Sequence, residues 1–110
     1  MGLGFVEKMR AASAAERWVA RVRFPGVSVE AANGARKMLV ATFVRGWSDN
    51  VGSGLAEASA FAEFSKTFLA SLPEETRNHP CTAGTMQGLE VAFRAGWGAA
   101  ERRRLGIKLS

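Results

Sequence analysis

The chain has 110 residues, of which 47% are hydrophobic and 23% charged, and its formal net charge is +5. This composition excludes a disordered chain, and no apolar run approaches the roughly 20 residues that a transmembrane helix needs. The single cysteine, Cys81, excludes an internal disulfide and favours a reducing, cytoplasmic location. We therefore expect one domain over 1–110 with a modest hydrophobic core.

The N-terminal segment carries two conflicting patterns. Apolar residues over 5–9 predict a first helix near 4–12, and Ser13 with Glu16 has the spacing of a capping box, which favours a new helix start there. Apolar and more polar residues alternate over 18–24, which is the periodicity of a strand. The sequence therefore leaves helix and short strand open for this last stretch.

The middle of the chain has clearer helix signals. Ser28 is the expected N-cap of a helix that runs from 29 to about 49, followed by a glycine-rich loop over 49–54. Strong helical periodicity predicts a third helix over 55–71, which Pro73 ends. One helical turn is expected over 73–76.

The last helix is expected to begin after an irregular segment over 77–81, with Thr82 or Thr85 as its N-cap. Its predicted end lies near 101–107. Gly106 there has the position of a left-handed residue after the helix, with Ile107 folding back.

A repeated motif dominates the two longest predicted helices. The pattern Leu-x-x-x-Phe-x-x-Gly-Trp occurs at 39–47 and again at 89–97. At helical spacing the three large residues form one stripe, and the glycine leaves space for another backbone to approach. We predict two central helices that pack through these stripes in a mainly α, compact, four-helix-type domain, with an α+β fold containing a small sheet as the alternative.

Residues with chemical reactivity are sparse. His79 and Cys81 lie close together, but they supply too few ligands for zinc and no second cluster completes the site. Glu74 and Glu75 have the position of helix-dipole partners, and the chain has no phosphate-binding loop motif. We therefore expect no enzymatic activity, no cofactor and no metal site.

The arginines indicate a function more clearly than the potentially reactive residues do. Both ends of the chain are basic around an acidic middle, and arginine forms planar bidentate contacts with phosphates and carboxylates. Trp and Arg are also the residues that most often dominate protein interfaces. The candidate partner-binding residues are Arg17, Arg21, Arg23, Arg94, Trp97, Arg102, Arg103 and Arg104.

A short segment provides a resemblance. Residues 92–100 read Ala-Phe-Arg-Ala-Gly-Trp-Gly-Ala-Ala, which resembles the Ala-Phe-x-Ala-Gly-Trp-x-Ala element of small uncharacterised phage and prophage proteins. The resemblance implies a mobile-element accessory protein that binds host machinery, as anti-CRISPR and other anti-defence inhibitors do.

The leading hypothesis is a non-enzymatic interaction protein, encoded by a phage or mobile element, that inhibits a host protein or ribonucleoprotein complex in the host cytoplasm. A small basic DNA- or RNA-binding protein is the first alternative. A dimeric, virion-associated structural protein is the second. None of these hypotheses involves a membrane.

Overall fold

The computed structural model describes residues 4–106 and contains five helices in that range. These are α1 (Phe5–Val19), α2 (Val29–Gly52), α3 (Glu57–Ala70), α4 (Glu74–Arg77) and α5 (Pro80–Arg104). The prediction of a mainly α fold is confirmed. No strand occurs within 4–106, so the short strand considered near 18–24 is wrong. No helix in this part of the chain has both the length and the apolar character needed to cross a membrane.

Helix α1 runs unbroken through Ser13, and one of its faces is buried from Ala11 to Val19. Ala11, Ala15 and Val19 recur every four residues and are at most 3% exposed. The predicted break at Ser13 does not occur: its hydroxyl accepts a hydrogen bond from Arg17 Nη1 at 2.8 Å, within the helix. The chain leaves the helix after Val19 and turns at Gly26, whose φ is +73°.

Two of the predicted helix ends are displaced by two or three residues. Helix α2 starts after Ser28, whose hydroxyl accepts the Ala31 N–H as predicted, but it continues through 49 to Gly52. The ion pair between Arg45 and Asp49, at 3.1 Å and one turn apart, stabilises this extra turn. Helix α3 begins two residues later than predicted.

Helix α5 begins at Pro80, so the predicted caps Thr82 and Thr85 are wrong. Proline suits the first helical position because its missing N–H would have no partner there. His79 is the N-cap, and its Nδ1 accepts the Cys81 N–H at 3.1 Å. The irregular segment expected over 77–81 is therefore shorter than predicted.

The end of α5 agrees with the sequence-based prediction. Gly106 has φ +70°, and its N–H donates to the carbonyl of Arg103 at 3.1 Å. Ile107 lies outside the described residues.

Helices α2 and α5 form the centre of the molecule. They are antiparallel, because Gly46 lies against the backbone of Phe93 while Gly96 lies against the backbone of Phe43. A Cβ built on either glycine would overlap the carbonyl oxygen of the opposite phenylalanine. The repeated motif therefore sets the distance between the central helices.

The whole fold repeats with an offset of 50 residues. Helix α1 corresponds to α3 and α2 to α5, and the Phe, Gly and Trp of the motif are buried in both copies. Each outer helix also begins with an equivalent glutamate that contacts a central helix. Glu7 accepts the Trp47 Nε1–H at 2.7 Å, and Glu57 pairs with Arg94 at 2.9 Å. Two similar helical hairpins thus pack around a pseudo-two-fold axis.

Candidate binding groove

A groove of about 720 Å³ lies between α1 and α5, with part of α2 beneath it. Five arginine side chains line it, and we call it the arginine groove: Arg17, Arg21, Arg94, Arg102 and Arg103. Small residues form much of the remaining surface, namely Ala14, Ala95, Gly98 and Ala99. The small side chains leave space between the helices, and the arginines surround that space with positive charge.

The arginines form two rows, one on each side of the groove. Arg17 lies in the last turn of α1, and Arg21 lies in the turn that directly follows the helix. On α5, Arg94 and Arg102 are eight residues apart, which places them near the same face and about 12 Å apart along the helix. Positive charge therefore extends along both sides of the arginine groove.

Most of this charge has no counterion among the described residues. Within 4–106, no acidic side chain lines the groove, and the one side-chain partner of Arg17 is the neutral hydroxyl of Ser13. Within 4–106, the side chains of Arg21, Arg102 and Arg103 form no hydrogen bond or ion pair. A guanidinium keeps its charge at any physiological pH, so these four side chains can bind an anion.

Arg94 differs from the other four. Its guanidinium pairs with Glu57 at 2.9 Å and with Glu90 at 2.8 Å. These two carboxylates compensate its charge and fix its position at one end of the arginine groove. It therefore attracts an anion less strongly than Arg103 does.

The other three predicted site residues lie elsewhere. Arg23 is exposed beyond the end of α1 and does not line the groove. Arg104 also lies outside the lining, and its Nε donates to Asn50 Oδ1 on α2 at 3.4 Å. Trp97 is 7% exposed and packs in the core, with its ring centroid 6.3 Å from that of Phe93. Trp97 is thus part of the architecture, whereas five of the seven predicted arginines converge.

Trp18 is the residue that the sequence-based site prediction missed. It is half-buried, lines the arginine groove, and packs on Phe43 with 5.7 Å between the ring centroids. In the sequence, the feature that could have identified Trp18 as a site residue was its position next to Arg17 and about one turn before Arg21 and Val22. The ambiguity between helix and strand over 18–24 hid this arrangement.

The internal repeat supplies a second groove for comparison. This groove, of about 730 Å³, contains residues equivalent to several in the arginine groove. Phe64 corresponds to Ala14, Phe68 to Trp18 and Val44 to Arg94 under the 50-residue offset. Its lining is mainly apolar, with Lys8 and Arg45 as its charged residues.

None of the five groove arginines has a charged counterpart in the other repeat. The residues equivalent to Arg17, Arg21, Arg94, Arg102 and Arg103 are Thr67, Ser71, Val44, Gly52 and Ser53. The same helical architecture therefore forms without these charges. The arginines are a property of one groove and not a requirement of the fold.

The arrangement is suited to recognising a negatively charged ligand, because guanidinium groups on two helices can contact several phosphates or carboxylates at once. Within 4–106, no group of three or more His, Cys, Asp or Glu side chains is placed to hold a metal ion. Comparison of the chain with protein-family models, curated proteins and solved structures found no match.

Proposed function

We propose that this chain is a non-enzymatic interaction protein that binds an anionic macromolecular partner through the arginine groove. One observation carries the proposal: five arginines from α1, the turn after it and α5 converge on a groove that no acidic residue within 4–106 lines, while the equivalent groove of the other repeat has none of these arginines. The arginines line one groove and are absent from the equivalent groove of the other repeat. Charge distributed in this way is typical of a binding surface.

The fixed position of the arginine-bearing segments supports this role. Four of the arginines lie on α1 and α5, Arg21 lies in the turn directly after α1, and the core fixes both helices. Ala11 and Ala15 of α1 pack in one buried cluster with Ala100 of α5. A preorganised surface loses less conformational entropy on binding than a flexible loop does. Its positive field also accelerates encounter with an anionic partner at low ionic strength.

The partner we propose is a host protein or nucleoprotein complex, which the chain would inhibit by occupying a functional surface. The resemblance of residues 92–100 to a phage and prophage element supports this part of the proposal. The same helix carries three of the groove arginines. A protein with extents of 42 × 29 × 22 Å is large enough to cover a binding site on a larger complex.

Two pairs of neighbouring arginines provide a matched test. Arg21 and Arg103 line the arginine groove, whereas Arg23 and Arg104 are close in sequence and lie outside it. The variants R21A/R103A and R23A/R104A therefore remove the same charge from the same helix ends. Exposed substitutions of this kind change the free energy of unfolding by about 0.5 kcal/mol or less each, so both variants should fold.

The test is a pull-down from a bacterial lysate at moderate salt, followed by mass spectrometry and nucleic-acid analysis of the retained material. We expect wild type and R23A/R104A to retain the same partner, and R21A/R103A to lose it. Retention of no specific partner by the wild type would refute the proposed function. Equal loss with both variants would show that net charge, and not the arginine groove, determines binding.

A further inference from the structure

We propose that the ligand of the arginine groove is single-stranded nucleic acid, with its phosphates against the two arginine rows and one base against the ring of Trp18. This inference rests on the proposed function and names the chemical class that the groove recognises. It depends on three features: the accessible aromatic ring, the spacing of the charges and the recessed shape of the site.

Trp18 is the aromatic ring that a ligand in the groove can reach. Phe43 and Trp47 also border the groove, but they are only 2% and 3% exposed. Trp18 is half-buried, and its packing against Phe43 holds its orientation. A ring held in place in the groove that Arg17 and Arg21 also line offers a stacking surface close to positive charge.

The charges extend along the groove in the manner of a site that follows a nucleic-acid backbone. Proteins that bind single strands combine a positively charged groove with aromatic rings on which bases stack. Here one arginine row runs from the last turn of α1 into the turn that follows it, and the other covers about 12 Å of α5 from Arg94 to Arg102. Four of the five guanidinium groups have no counterion within the described part of the chain and are available to phosphates.

The recessed position of Trp18 favours a single strand over a duplex. Bases in a duplex are stacked inside the helix, and taking one out costs a few kcal/mol. A ring at the side of a groove between two helices cannot reach a base that remains stacked. The bases of a single strand are free to contact it.

The ring of Trp18 also distinguishes a nucleic-acid ligand from an acidic protein segment. Carboxylates can pair with the arginines as well as phosphates do. A chain of glutamates, however, has no aromatic group to stack on Trp18. The half-buried ring of Trp18 in the arginine groove therefore favours nucleobases as part of the ligand.

The test compares four fluorescently labelled probes by anisotropy: an oligothymidylate of about 12 nucleotides, an abasic strand of equal length, a duplex of equal length, and polyglutamate. The length of about 12 nucleotides lies in the range of roughly 4–16 that single-strand-binding folds cover. The protein variants are wild type, Trp18→Leu, R21A/R103A and R23A/R104A. Leucine retains apolar packing against Phe43 but offers no aromatic face.

We expect wild type to bind the oligothymidylate most tightly of the four probes. Trp18→Leu should weaken that binding roughly 5- to 150-fold, the range measured for loss of one base stack. The same substitution should leave binding to the abasic strand unchanged. This ratio is measured within one variant, so a lower fraction of folded Trp18→Leu would affect both probes equally.

Two results would overturn the inference. The first is equal affinity for the abasic strand and the oligothymidylate, or an equal effect of Trp18→Leu on both. The second is tighter binding of the duplex or of polyglutamate. In either case the proposed function stands if R21A/R103A still weakens binding to the best probe and R23A/R104A does not. It fails as well if the two arginine variants behave alike on every probe.

Discussion

Gly96 lies directly against the backbone carbonyl of Phe43, and the repeat places Gly46 in the same relation to Phe93. The two contacts are reciprocal across the antiparallel central helices. They bring the helix backbones closer than side chains at these positions would permit. The two phenylalanines and the tryptophans next to the glycines then fill the core on either side.

Gly96→Ala should destabilise the protein by roughly 1–3 kcal/mol or more, the range for overpacking a core. An added Cβ would overlap the Phe43 carbonyl oxygen and lie 2.7 Å from the carbonyl carbon, and a backbone cannot rotate away as a side chain can. Urea unfolding followed by circular dichroism measures the change in the free energy of unfolding.

Gly88 provides the matched control in the same helix. A Cβ added there would meet nothing within 4 Å. Because alanine is the better helix former, Gly88→Ala should stabilise the protein by up to about 1 kcal/mol. A loss of stability in Gly88→Ala as large as in Gly96→Ala would mean that the close helix crossing is not the cause.

Glu7→Ala should lower the free energy of unfolding by about 1–2 kcal/mol, because the buried Trp47 indole would lose its acceptor. The Glu7 Oε1 atom is 2.7 Å from Trp47 Nε1 and joins α1 to α2. Glu16→Ala, at an exposed position of the same helix, should cost less than about 0.5 kcal/mol. Thermal or urea unfolding of the two variants distinguishes a specific hydrogen bond from a general effect of removing a carboxylate. Equal losses would contradict the role given to Glu7.

Removing the carboxylates beside Arg94 should strengthen binding of an anionic ligand. Glu57→Gln/Glu90→Gln leaves the Arg94 guanidinium in place but uncompensated. The slope of log affinity against log salt for the oligothymidylate should steepen by about 0.7, the value for one more phosphate contact on a single strand. Because these ion pairs are solvent-exposed, stability should change by less than about 1 kcal/mol.

Glu63→Gln/Glu74→Gln changes the net charge by the same amount at positions away from the arginine groove and is the control. We expect it to leave the salt dependence nearly unchanged. If both pairs of substitutions steepen the slope equally, Arg94 has no special part in binding.

The sequence predicts the central helices because their signal is local. The residues Leu, Phe, Gly and Trp recur at helical spacing in both copies of the motif, and the burial of the Phe, Gly and Trp follows from that spacing. Helix α1 was harder to predict, since residues two apart over 18–24 fit a strand while those four apart fit a helix. Neither pattern holds for the whole stretch: burial of Ala11, Ala15 and Val19 keeps the chain helical to Val19, and 20–24 form a turn and an irregular segment.

The arginine groove depends on which helices are neighbours. Spacing alone places Arg17 with Arg21 on one face, but it does not show that α1 lies beside the end of α5, some 80 residues later. The sequence also suggested that Arg102, Arg103 and Arg104 act together. Consecutive residues of a helix point in directions about 100° apart, and Arg104 accordingly turns away toward Asn50. Trp18 was missed for a second reason besides the ambiguity over 18–24: Phe43, on which it packs, belongs to α2, and the arginines across the groove belong to α5.

The most direct test of the arginine groove is the salt dependence of oligothymidylate binding in wild type, R21A/R103A and R23A/R104A. Each lost phosphate contact on a single strand should reduce the magnitude of the log–log slope by about 0.7. We predict a reduction of about 1.4 for R21A/R103A and almost none for R23A/R104A. Equal slopes in the two variants would contradict the assignment of binding to the arginine groove.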